Sequence, residues 1–122
     1  MYRRIVVGTD GSETAGLAVE RAVEIAAATG SDLTILSVGP QDQALATAEA
    51  AARQHDGSGV SIDGRWRDGD PAKALLAQAE EEGAGLLVVG SKGMTGARHV
   101  MGSVPNTVSH HAPCHLLIVH TT

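Results

Sequence analysis

The sequence predicts an α/β fold, a Rossmann-like, doubly wound five-stranded parallel sheet between two helical layers. Three observations carry this. Short β-branched or leucine-rich runs alternate along all 122 residues with alanine-rich stretches of helical period. Each run is too short to be a helix and too continuous to be a half-exposed strand, as buried parallel strands are. Strand and helix also change places without a linker, a repeat or a low-complexity segment, which implies right-handed crossovers within one domain spanning residues 1–122.

The elements come in order. Ile5-Val6-Val7 is a strand closed by Gly8-Thr9-Asp10-Gly11-Ser12, where Ser12 or Asp10 can cap the first helix. Residues 13–29 repeat apolar side chains at helical spacing (Ala15, Ala18, Val19, Ala22, Val23, Ile25, Ala26), and Gly30 supplies the stop. Residues 33–38 form a second strand ending at Gly39-Pro40. From Asp42 to about His55 the spacing of Ala44, Leu45, Ala48, Ala51 and Ala52 predicts a second helix. Val60, Ile62 and Gly64 alternate with polar residues toward Arg67, the pattern of a more exposed edge strand. Asp70-Pro71 is a strong helix start, with Asp as N-cap and Pro in the first position. Ala72, Leu75, Leu76 and Ala79 then face inward, and Gly83 ends the helix. Residues 86–89 are the fourth strand, residues 103–111 a last helix, and residues 116–119 a last strand.

Composition bounds the function. Nine Lys and Arg against fourteen Asp and Glu leave a formal charge of −5, and Tyr2 and Trp66 are the only aromatic rings apart from histidine. Such a surface repels nucleic-acid phosphate and offers almost nothing for bases to stack on, so nucleic acid is not an expected partner. Cys114 is the single cysteine, which fits a reducing compartment. No apolar run approaches membrane-spanning length and no signal-peptide core comes after Met1, so a soluble, cytoplasmic protein without membrane association is expected.

The chemistry-bearing stretch is Gly90-Ser91-Lys92-Gly93-Met94-Thr95-Gly96, followed by Gly102-Ser103-Val104. Glycines at a strand end allow positive φ and close approach of a ligand. Successive N–H groups there, with a helix N-terminus beside them, hold anions. In doubly wound sheets the ligand sits outside the carboxyl ends of the strands, where the strand order reverses. An order of 3-2-1-4-5 would set this loop opposite Thr9-Asp10. Asp10 would then accept from a ribose hydroxyl or meet a metal ion on a polyphosphate. Backbone N–H groups from Gly93 through Met94 to Gly96, and at Ser103 and Val104, would hold phosphate oxygens. The end of the second strand, near Val38, would face a base edge. Lys92 and Arg98 add positive charge. The plainer readings are a helix cap for Asp10 and solvated surface for the two cations.

Other phosphate and catalytic patterns are missing. Neither the P-loop spacing nor a dinucleotide G-x-G-x-x-G after the first strand occurs, and six histidines show no zinc spacing with the one cysteine. No nucleophile-elbow sequence makes Ser12 part of a triad.

The run from Ile5 to Ser12, the segment from Val88 to Val104 and the final Leu117-Ile118-Val119 together resemble the universal stress protein family over the whole length, in its ATP-binding branch. The resemblance implies the 3-2-1-4-5 sheet, a nucleotide near Thr9, Asp10 and Val38, and phosphates on Gly90, Gly93, Gly102 and Ser103. The eight residues between Gly93 and Gly102 are one fewer than the family's pattern. It also implies a homodimer that pairs through residues 116–119, with Cys114 and His115 near the contact. The expected function is therefore an adenine-nucleotide-binding, most simply ATP-binding, dimeric stress-response module, with Mg²⁺ able to accompany the nucleotide. A slow ATPase or phosphotransferase and a nucleotide-free dimerisation module are the alternatives. No general base or water-positioning residue stands beside the phosphate loop, so at most weak ATP hydrolysis is expected.

Overall fold

The computed structural model describes residues 2–91 and 103–121. Strands β1 (Arg4–Gly8), β2 (Asp32–Val38), β3 (Ile62–Arg67), β4 (Leu86–Gly90) and β5 (His115–Val119) alternate with helices α1 (Glu13–Thr29), α2 (Gln41–Arg53), α3 (Pro71–Glu82) and α4 (Ser103–His111). A short 3-10 turn, Asp56–Ser58, comes after α2. All strand pairs among the described residues are parallel, as the alternation predicts, and the order β3-β2-β1-β4-β5 is the one the family resemblance implies.

Local signals place the helix ends. Ser12 is the N-cap of α1, its Oγ accepting from the Ala15 N–H at 3.1 Å, and Gly30 closes the helix at φ 68°. Asp70 caps α3 by accepting from the Lys73 N–H at 3.0 Å, Pro71 opens the helix, and Gly83 ends it at φ 61°. These termini use side-chain acceptors and left-handed glycines in the way isolated helices require.

The pleat then sorts side chains into two cores. On one face Ile5, Val7, Leu33, Ile35 and Val88 pack against Ala18, Val19 and Ala22 of α1 and Ala48 of α2. On the other, Val6, Leu36, Leu87 and Val89 meet Leu75 and Ala79 of α3 and Val104 and Val108 of α4. Alanines let the helix backbones come close to the sheet. At Gly64 the approach is closest, since a Cβ there would lie 3.0 Å from the backbone of Ala48 and Glu49. The glycine in β3 is thus a seat for α2.

The helix faces differ in detail from the spacing. Ile25, Leu45 and Leu76 are half-buried, because the sheet covers a narrower stripe than the apolar periodicity spans. Gln78, a polar residue, is buried instead; its Oε1 accepts from the Arg67 Nε at 2.6 Å and its amide donates to Glu82.

Candidate functional site

β1 is the central strand and the shortest at its carboxyl end. Its last pairs are Gly8 with Leu36 on one side and Val7 with Val88 on the other. β2 continues through Ser37 and Val38, and β4 through Val89 and Gly90. Two strand residues on each side span about 6.5 Å at the usual rise. The sheet edge therefore carries a notch floored by Thr9.

The ladder decides what lines it. Leu36 accepts from the Thr9 N–H at 2.9 Å, so β2 residues of that parity face β1, while Gly39 donates to Arg67 on the β3 side. Val38 therefore turns its own N–H and C=O past the end of β1. On the opposite wall, Ser91 donates to the Val119 carbonyl on the β5 side, and Gly90, one residue earlier, faces β1. Two strand-end peptides, at Val38 and Gly90, thus look across one gap without a partner strand between them. Donors and acceptors that have no backbone partner among the described residues are what a base edge or a phosphate needs.

The floor is self-contained. Thr9 is buried, and its Oγ1 accepts from the Gly11 N–H at 3.1 Å. Asp10 is exposed and uses Oδ1 to accept from the Ser12 N–H at 2.9 Å. Gly11 makes the corner at φ 83°. Both N–H groups that could have formed an anion nest are therefore occupied by side chains of the turn itself. Asp10 is not the cap of α1, which is Ser12; its carboxylate closes an Asx-turn and keeps its second oxygen without a partner among the described residues.

Of the other residues singled out in the sequence, Val104 is buried in the core between α3 and α4, so only its backbone is available to a ligand. Ser103 opens α4. Lys92, Gly93, Met94, Gly96, Arg98 and Gly102 lie outside the described residues. At Gly90 φ is not positive, and the space a side chain would take is filled by Thr121, whose Cγ2 stands 3.0 Å from where a Cβ would be. The glycine makes room for the chain's own side chain.

Two features were not legible in the sequence. One is this contact between positions 90 and 121. The other is a groove of about 650 Å³ between α1 and α2, lined among others by Thr9, Gly11, Gly16, Leu17, Thr47 and Ala51. It adjoins the notch through Thr9 but lies on one face of the sheet. Among the described residues no group of three or more His, Cys, Asp and Glu could hold a metal ion, and no helix is long and apolar enough to cross a membrane. Burial pushes the Cys114 thiol up from its ordinary range, away from the reactive thiolate.

The model of the universal stress protein family matches residues 1–52 and 39–120. The two pieces overlap across Gly39-Pro40 and α2, where this chain passes from strand to helix without an intervening segment. Universal stress protein MT1672 of Mycobacterium tuberculosis is 36% identical over 143 aligned positions, covering 99% of this chain and 98% of the relative. Among solved structures, a universal stress protein in complex with cAMP is 34% identical with a TM-score of 0.82, covering 99% of both chains. Protein Rv1636 from M. tuberculosis H37Rv is 39% identical with a TM-score of 0.70, covering 99% of this chain and 97% of that one. Relatives above 30% identity match this chain nearly end to end, and the chain belongs to the universal stress protein family.

Proposed function

We propose that this protein binds an adenine nucleotide, ATP in the first instance, in the notch at the carboxyl end of β1, and acts as a dimeric stress-response or signalling module without fast turnover. The observation that carries the reading is the pair of facing strand-end peptides at Val38 and Gly90 above the Thr9-Asp10 turn. The Val38 peptide suits the donor–acceptor edge of adenine. The Asp10 carboxylate suits a ribose hydroxyl. Since Gly11 and Ser12 have no N–H to give, phosphates would rely on N–H groups of Gly93, Met94, Gly96, Gly102, Ser103 and Val104. Mg²⁺ would arrive on the polyphosphate and meet Asp10 alone. A relative of 34% identity that takes cAMP supports an adenine ligand as the class.

Titration calorimetry with ATP, ADP, AMP, cAMP and GTP, with and without Mg²⁺, tests this. Adenine nucleotides are expected to bind well below millimolar, with GTP at least tenfold weaker, about 1.4 kcal/mol. No heat with any of them at millimolar concentration would overturn the reading. Asp10→Ala should weaken binding about tenfold through the lost charge-assisted bond.

The apolar outer strand β5 supports a homodimer, with His115–Val119 meeting the same strand of a second copy. It also supports the second reading, a dimerisation module that takes no nucleotide. A dimer by sedimentation combined with no nucleotide binding would favour that one.

A further inference from the structure

The chain stays with the sheet beyond β5. Thr121 is 2% exposed although it lies past the end of the last strand, and Ser91, at the exit of β4, is 8% exposed. Ser91 donates its N–H to the Val119 carbonyl at 2.8 Å. The Thr121 N–H donates to Ser91 Oγ at 3.1 Å, and the two hydroxyl oxygens lie 3.3 Å apart. The Thr121 methyl fills the space beside Gly90, on the same side of the sheet as Val88 and Val119. Thr121 thus touches Gly90, which walls the notch, and Ser91, the residue that follows it.

A buried hydroxyl pair adds little net stability over apolar side chains of the same shape, but it is directional. Here the direction falls on Ser91, whose backbone continues from the Gly90 peptide that faces the gap. We propose that Thr121 is a positioning residue for the nucleotide site, acting through Ser91 to hold the Gly90 peptide in its ligand-facing orientation. This rests on the nucleotide reading above and adds a regulatory element to it. Docking of the segment after β5 and occupancy of the notch become two coupled equilibria. Coupling of binding free energies is reciprocal, so nucleotide must tighten the Thr121 contact by the factor with which that contact tightens nucleotide.

Calorimetry with cAMP and ATP on the wild-type protein and on Ser91→Ala, Ser91→Thr, Thr121→Gly and Thr121→Val tests the proposal, together with amide hydrogen exchange at Thr121. Ser91→Ala and Thr121→Gly are expected to weaken both nucleotides about tenfold, within the ordinary range of site–site coupling. Ser91→Thr keeps the oxygen and should stay within about twofold, and Thr121→Val, which keeps the shape and the N–H, should fall between. Saturating nucleotide should slow exchange of the wild-type Thr121 amide about tenfold. A contact of purely structural value would lower the melting temperature yet leave affinity and nucleotide-dependent exchange unchanged, and that result overturns the proposal alone. A wild-type protein that binds neither nucleotide overturns the nucleotide reading as well.

Discussion

β3 and β5 are the two outer strands of the sheet and among the described residues each pairs on one side only, yet their side chains treat that position differently. The face of β3 away from α2 carries Asp63, Arg65 and Arg67. Arg65 pairs with Asp63 at 3.8 Å, and Arg67 pairs with Glu81. The network extends inward to Arg4, which stands 3.8 Å from Asp32, 3.9 Å from Asp63 and 3.4 Å from Glu82 and donates to Thr34 Oγ1 at 3.1 Å. Charges on an edge strand must be desolvated before another strand can pair, so this edge is defended. β5 has three successive half-buried apolar residues, Leu116, Leu117 and Ile118, and its first residue, His115, sets its ring edge-on to Tyr2. Nothing on that strand repels a partner. One sheet thus has an edge built to stay single and an edge suited to being covered, and the proposed second copy belongs on the latter.

The contrast can be broken at several points. The largest effect is expected from Gly64→Val, which drives a side chain into the Ala48–Glu49 backbone and lifts α2 off β3. Overpacking against backbone should cost about 3 kcal/mol or more in urea unfolding. Next is Ile118→Lys, which puts onto β5 the defence β3 already has. It should weaken self-association at least about a hundredfold by analytical ultracentrifugation, or roughly 2.7 kcal/mol, while leaving a folded monomer. Arg4→Met comes third. It leaves three carboxylates without their shared cation and should lower stability by about 1–2 kcal/mol, with part of the loss recovered in high salt. Arg65→Val sharpens the comparison from the other side: it removes a guanidinium from the defended edge and should introduce concentration-dependent association with little change in unfolding midpoint. The smallest effect concerns Cys114. Burial raises its thiol pKa, so less thiolate is present at a given pH, and alkylation at pH 8 should run several-fold slower than for a free cysteine. Covering of the β5 edge should slow it further.

Much of this was legible because it is local. Ser12, Gly30, Asp70, Pro71 and Gly83 mark helix ends through contacts within a few residues, and α1 and α3 end where those residues place them. The alternation of elements reads as a parallel sheet with right-handed crossovers, while the particular order 3-2-1-4-5 is implied by the family resemblance rather than by the periodicity. What depends on distant pairs was not legible. Asp32 joins β2 because Arg4 lies opposite it, and Gln78 enters the core because Arg67 reaches it from another strand. At the notch, Thr9 and Asp10 are readable as a strand-ending turn. Gly90 reads in the sequence as a strand-end glycine near a ligand, and the sequence gives no sign that its missing side chain also accommodates Thr121, thirty-one residues away along the chain.

The central place of β1 also sets an order of assembly. Its pairing with β2 closes a short segment, from Ile5 to Leu33, and can form early. Its pairing with β4 joins Ile5 to Leu86 and must wait until most of the chain is available. Non-local parallel pairing of this kind slows folding. During synthesis the first three strands emerge with one edge of β1 still open, and the apolar Val6 and Leu36 lack the α3–α4 layer that finally covers them. Until β4 is synthesised, the edge of β1 that pairs with it has no partner strand, and delaying β4 is expected to expose that edge to wrong pairing.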